Sequence, residues 1–290
     1  MKRAYMKYIA GLLIFGFNGI IASQIDLSSY NIVLLRSAIG VVMLLLLFLL
    51  GRGHFHIKEH KKDLLFIALS GIGMGANWMF LYEGYDHVGV GVAILFCYCG
   101  PVIVMMLSPL FFKERLTAPK VIGFLAVLAG FLLVNKELPT AQDGYFGIFC
   151  GVMSALAYAV LVMANKKAEH ITGMENAVIQ MFFTLMTVFI FVLFKNGCHF
   201  TVAPEDWGWI LLIGIVNTGL AVYLYLTPIS VLPVQTVAVC GYIEPLSAVI
   251  FAAVLLGEVM APLQILGAVL ILGGAIFGEW FGNKRLRLKS

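Results

Sequence analysis

The chain has 290 residues, 61% hydrophobic and only 12% charged, with 19 basic against 15 acidic side chains and a mean hydropathy of +0.99. A soluble domain carries about 25% charged residues, so this composition excludes a water-soluble enzyme and leaves nucleic acid out as a partner. The apolar runs are continuous and lack the period-two alternation of outer-membrane strands, which leaves an all-α membrane protein.

Ten runs are apolar enough to span a bilayer core of about 30 Å: 5–23, 30–50, 64–82, 88–112, 118–135, 144–164, 174–194, 207–227, 233–256 and 262–281. The first has no A-x-A-like cleavage site and reads as a retained helix; it carries Asn18 at depth. The second holds Arg36, the only basic residue in a span that is not within three residues of its end. Its long side chain reaches far enough to snorkel to the interface; otherwise it is an anion site or the partner of a buried carboxylate. The loop that follows spells His56-Ile-Lys-Glu-His60, an H-x-x-E-H zinc pattern. No folded domain surrounds that loop to supply a third ligand, so it reads as a solvated connection.

The third span supplies Asn77, Trp78 and Tyr82, and the fourth supplies Tyr98 and Pro101. Tyr158 lies in the sixth span and Asn217 in the eighth. Tyr242, Glu244 and Pro245 lie in the ninth. Mid-span prolines remove an amide donor and clash with the preceding turn, so Pro101 and Pro245 are expected to kink their helices and serve as cavity-lining hinges. Glu244 sits eleven positions into its span, where a bare carboxylate costs several kcal/mol. It must face the interior, be protonated or find a partner. Glu114 and Glu258 sit at span ends and read as interfacial residues rather than ligands. All six histidines fall in expected loops, which leaves an intramembrane hydrolase without an embedded base, and no Walker A motif occurs. The five cysteines sit mostly within spans and read as small packing residues. The reading is therefore a non-enzyme without cofactor or metal.

Tyr98, Pro101, Glu114, Gly123, Leu128 and Gly130 recur 144 positions later as Tyr242, Pro245, Glu258, Gly267, Leu272 and Gly274. Sixteen of the 19 basic residues fall on alternate connections and the two termini, which places both termini in the cytoplasm by the positive-inside rule. Spans one to five then begin inside and spans six to ten outside, as an inverted repeat requires.

The pattern Tyr242-Ile-Glu-Pro-Leu, Leu255-Leu-Gly-Glu258, Gly267 and Gly274 resembles the EamA domain of the drug/metabolite transporter superfamily. Gly100-Pro101, Phe111-Phe-Lys-Glu114, Gly123 and Gly130 resemble a first copy, with Gly100 where the second copy has Glu244. The expected division is a first repeat over 1–136, a second over 143–282 and a basic cytoplasmic tail over 283–290. The resemblance implies ten helices, a central cavity and export of amino acids or similar metabolites. The architecture adds a secondary active transporter of the cell membrane working by alternating access.

The candidate cavity residues are Glu244, Asn18, Asn77, Trp78, Tyr82, Tyr98, Tyr158, Asn217, Tyr242 and Arg36. The expected partners are a small-molecule substrate, a proton as candidate coupling ion and the lipid bilayer. The Gly274/Gly278 spacing leaves a monomer or a weak dimer, intramolecular packing being its simpler use. A phosphate-ester or nucleotide-sugar antiporter would want several cations in the cavity, where the spans offer Arg36 alone. A membrane scaffold or receptor is the alternative from another class.

Overall fold

The computed structural model describes residues 1–114, 116–134, 144–197, 200–256 and 261–287. Arg115, Lys136, Cys198, His199 and Glu258 lie outside them, as do the connection 257–260 and the end of the tail at 288–290. The described residues are all-helical, without a strand. In chain order the helices are α1 Lys2–Phe15, α2 Asn18–Ala22, α3 Ser29–Leu50, α4 Lys61–Cys97, α5 Gly100–Phe112, α6 Ala118–Val134 and α7 Tyr145–Lys167. They continue as α8 Gly173–Asn196, α9 Trp207–Leu212, α10 Ala221–Ile229, α11 Val234–Cys240, α12 Ile243–Leu256 and α13 Pro262–Arg287. A π-helical stretch, Ile213–Leu220, joins α9 to α10. Seven stretches are long and apolar enough to cross a membrane, and Gly100–Phe112, Ala118–Leu133 and Pro262–Gly278 are shorter apolar helices.

The 37 residues of α4 are helical throughout, yet α4 is not a rod. Twenty residues of straight helix span about 30 Å, whereas Asn77 Nδ2 lies 3.5 Å from Cys97 Sγ. A Cβ on Gly84 would likewise stand 3.0 Å from that of Ala93. The chain therefore folds back on itself between these pairs, and its two arms correspond to the third span and the start of the fourth. His87 lies in this helix rather than in the loop expected from the sequence.

The fourth and ninth spans are each divided. A tight turn at Tyr98–Cys99 separates α4 from α5, and one at Gly241–Tyr242 separates α11 from α12. Pro101 stands in the first turn of α5 and Pro245 in the first turn of α12. Their missing N–H groups fall where a helix has no intrahelical acceptor for them. The two prolines thus begin new helices instead of kinking continuous ones, which corrects the expectation from the sequence. The Gly241 carbonyl is taken by the Glu244 N–H at 3.2 Å.

Packing repeats itself between the halves. α1 packs on α10 as α7 packs on α4; α3 packs on the π-helical stretch and on α8, as α8 packs on α4 and on α3. α6 and α13 cross through glycines. A Cβ on Gly123 would stand 2.5 Å from the Gly274 carbonyl oxygen, and one on Gly130 would stand 2.5 Å from that of Gly267. Residue order is opposed along the seam, so the two helices run antiparallel. Gly274 is spent on this internal contact, as small residues at a close helix crossing are.

Candidate functional site

The two helix breaks face each other. Tyr242 is fully buried and its hydroxyl donates to the Tyr98 carbonyl at 2.7 Å, with the rings 5.8 Å apart. That carbonyl belongs to the residue that caps the C-terminus of α4, where a helix leaves acceptors without partners. Around the breaks lie two adjoining compartments that share part of their walls. A vestibule of about 560 Å³ reaches the turn carrying Ser23 and Leu27, and its walls include Arg36, Tyr82, Tyr85, Glu244 and Pro245. A deeper compartment of about 100 Å³ is walled by Met74, Asn77, Pro101, Tyr158, Leu161 and Tyr225 among others. Phe15, Asn18, Trp78, Leu81, Tyr98 and Glu244 border both.

Eight of the ten residues singled out from the sequence come together on these walls. Asn217 and Tyr242 do not: Asn217 donates from Nδ2 to the Ile14 carbonyl at 2.7 Å and so ties the π-helical stretch to α1. Asn77 is a wall residue with much of its capacity already committed. Its Nδ2 donates to the Ser154 carbonyl at 3.0 Å and to Ser154 Oγ at 2.9 Å, while Ser154 Oγ donates back to the Asn77 carbonyl at 2.9 Å. Asn18 Oδ1 is buried without a hydrogen-bond partner.

Arg36 does not snorkel. It is only 3% exposed, and its guanidinium carbon lies 4.3 Å from the Trp78 ring centroid. Stacking on an indole face stabilises the desolvated cation by about 2 kcal/mol, which replaces the water it would otherwise seek at the interface. Its Nε is buried and unpartnered. Glu244 sits in the first turn of α12, where the helix dipole offsets part of a negative charge. Arg36 is the positive group acting on it electrostatically. The ion pairs within 4.0 Å among the described residues involve His56, His87, His170 and Lys195, and neither Arg36 nor Glu244 takes part. Arg36 is also the only cation on the described walls of either compartment.

The cavity narrows to a seal at the end opposite the vestibule. The Tyr8 hydroxyl donates to the Val237 carbonyl at 3.0 Å, and its ring stacks on Tyr225 at 5.2 Å. Beyond this, the turn between α10 and α11 is clamped from both sides. Lys166 Nζ donates to the Ser230 and Leu232 carbonyls at 2.9 and 2.7 Å. Glu114 accepts from the Val234 and Gln235 N–H groups at 2.8 and 3.2 Å. A cation thus meets the end of one helix and an anion the start of the next, each on the favourable side of the dipole. Glu114 is a helix cap, which its place at a span end did not disclose.

At the vestibule end, Glu83 accepts from Lys195 Nζ at 2.6 and 2.8 Å and from the Tyr30 hydroxyl at 2.8 Å, tying α3, α4 and α8. At the sealed end the H-x-x-E-H residues serve separate contacts. His56 Nδ1 lies 3.0 Å from Glu175 Oε2, and His60 stacks on His170 at 4.4 Å. The hydrogen bond to Glu175, followed by that carboxylate's field, raises the His56 pKa above 6.5.

Sequence reasoning missed Tyr85, which fell in an expected loop, and Tyr225. Tyr223, two residues before Tyr225, instead has its ring 5.2 Å from Lys7 Nζ. The π-helical stretch before residue 221 adds a residue to the turn, so a 3.6-residue projection carried from α9 assigns the wrong face.

The EamA-like transporter family matches over residues 2–136 and again over 145–278. Relatives include "uncharacterized transporter YxxF" of Bacillus subtilis, 24% identical over 93% of this chain and 88% of that one. The threonine/homoserine exporter RhtA of Escherichia coli is 27% identical over 88% and 83%. A probable terminal-alkyne amino-acid exporter of Streptantibioticus cattleyicolor is 26% identical over 94% and 87%. A solved crystal structure superposes with a TM-score of 0.84 over 99% of each chain at 19% identity, a likeness of fold alone. With both copies of the domain matched across nearly its full length, the chain belongs to the EamA-like transporter family, as a multi-pass protein of the cell membrane.

Proposed function

We propose that this protein exports amino acids or closely related small metabolites by alternating access between two inverted five-helix halves. The observation that carries this reading is a cavity whose wall carries both Arg36 and Glu244, with the Tyr8–Val237 hydrogen bond and the Tyr8–Tyr225 stack behind its inner wall. The relatives named as amino-acid exporters support the substrate class. The antiparallel α6–α13 crossing and the contact between Tyr98 and Tyr242, equivalent residues of the two copies, support a two-fold relation between the halves. The sealed end carries Lys7, Lys166 and Lys167, so the positive-inside rule puts it in the cytoplasm and makes this the outward-facing state. Ten spans with cytoplasmic termini are the topology that goes with it.

In this reading export requires the clamp on the α10–α11 turn and the Tyr8 seal to open while the vestibule closes. Glu244 is the candidate proton or ammonium site, Arg36 the candidate anion site. A single cation on the described walls favours this over a phosphate-ester antiporter. The test is flux in proteoliposomes loaded with threonine, homoserine and leucine, with and without a pH gradient. A Leu161→Cys probe in a background without other cysteines should react with an impermeant thiol reagent from the cytoplasmic face only when substrate cycles the protein. Absence of flux, with labelling fixed to one face throughout, would favour a scaffold or receptor instead.

A further inference from the structure

Three lipid-facing grooves among the described residues differ in what stands at their mouths. The one between α3 and the π-helical stretch has apolar walls only, Leu46, Leu50 and Ile215 among them. The one between α4 and α8 ends on Lys195, whose ammonium is neutralised by both oxygens of Glu83 at 2.6 and 2.8 Å. The third lies between α4, α5 and α7 and ends on Lys167; its walls include Phe66, Ile103, Phe111, Leu156 and Met163. Among the described residues Lys167 has no carboxylate within 4.0 Å. Its Nζ lies 5.7 Å from the Phe111 ring centroid and 5.9 Å from that of Phe112. The two rings hold the cation at the mouth and leave its N–H donors for an anion.

The third groove is one leaflet deep. From Leu156 to Lys167 α7 rises about 16 Å, roughly half of a 30 Å hydrocarbon core, and α5 packs beside it. Apolar lining alone selects no occupant, because bulk lipid tails are as apolar as the groove. Charge does. Lys167 is exposed in the last turn of α7, Lys113 caps the end of α5, and Lys62 stands one turn before Phe66 on the same face of α4. All three helices of the groove thus carry a lysine at this end. A lysine at the membrane surface strengthens the hold on an anionic lipid by about fivefold.

We propose that this groove binds an anionic phospholipid of the leaflet at the sealed end, its phosphate on Lys167 and one acyl chain along α5 and α7. The groove shares no wall residue with either compartment of the cavity, so the site stands or falls apart from the transport reading.

Native mass spectrometry of the protein in detergent tests it, by titration with phosphatidylglycerol or with phosphatidylcholine of the same acyl chains. The wild type should retain phosphatidylglycerol at least about fivefold more strongly. Lys167→Gln should lower that retention about fivefold and leave phosphatidylcholine as it was. Arg52→Gln, at a cation on the connection after α3 and outside the groove, should change neither. Val160→Trp fills the groove and keeps Lys167, and should also weaken phosphatidylglycerol. Equal retention of the two lipids in the wild type overturns the site, and that comparison needs no variant to fold. A loss in Arg52→Gln as large as in Lys167→Gln means diffuse charge attraction and overturns it too. Retention untouched by Val160→Trp overturns the acyl-chain placement. Glycerol phosphate competing as well as the lipid would make the ligand a free phosphate ester and overturn the lipid assignment.

Discussion

The two helix breaks are built alike and used differently. Each has a tyrosine at the turn and a proline in the first turn of the following helix, 144 residues apart. At the first break, Gly100 holds the position that Glu244 holds at the second. A Cβ on Gly100 would stand 2.8 Å from Tyr158 Cδ1 and 3.1 Å from the Ala155 carbonyl oxygen, so α7 occupies the space a side chain would need. Tyr158 also reaches the second break, its hydroxyl 3.2 Å from where a Cβ on Gly241 would be. Glu244 faces the cavity instead. A repeat can supply the same backbone device twice and still be asymmetric in chemistry, because packing closes one copy of the position and leaves the other open.

The largest effect is expected on forcing the two breaks to match. Gly100→Glu overpacks the seam against α7, which alone costs about 1–3 kcal/mol, and adds a buried charge. Loss of monodisperse protein or a large fall in Tm is the expected outcome; an unchanged Tm would mean that packing does not set the asymmetry. Glu244→Gln should keep the fold and weaken transport. A hydrogen bond to a charged group contributes about 1.5–3 kcal/mol, so apparent affinity in a flux assay should fall roughly ten- to a hundredfold, with Tm unchanged.

The clamp on the α10–α11 turn comes next. Lys166→Gln and Glu114→Gln each weaken two charge-assisted hydrogen bonds, and each should raise the cytoplasmic-side thiol reactivity of a Leu161→Cys probe by roughly tenfold. Equal reactivity with and without the clamp would dissociate it from gating. Tyr242→Phe removes the hydrogen bond to the Tyr98 carbonyl and should cost about 1 kcal/mol, read as a small fall in Tm without change in substrate preference. The smallest effect lies away from both breaks, at His56. Its pKa is raised in the folded protein, so its contribution is complete below the unfolded value of about 6.5 and disappears as pH rises through the folded one. Wild-type Tm should therefore fall relative to His56→Gln between pH 6 and 8, with transport equal in both.

Much of the frame is legible in the chain itself. The apolar runs require helices, because lipid leaves no other way to satisfy backbone groups. The repeated Tyr and Pro mark both breaks, and Glu244 marks the depth of the cavity by being costly there. Other features were not legible, each for a physical reason. That the reversal inside α4 stays helical is one: the connection expected between 82 and 88, with Gly84, Gly89 and Gly91 in and beside it, marks the turn but not its conformation. The π-helical residue rotates Tyr225 onto the wall without altering composition. Arg36 could as well have reached the interface; only the position of Trp78, 42 residues away in the sequence, holds it inside. Glu114 reads as a surface charge until α11 places its N–H groups beside it.

By itself, then, the sequence determined the solvent in which this protein folds, its family and the positions where its helices stop, since hydropathy and proline act through local chemistry. Tertiary structure decided which polar groups share a cavity, which end is sealed and why one of two equivalent positions bears a charge. Those depend on distances between segments far apart in the chain, and no local property of a residue encodes them.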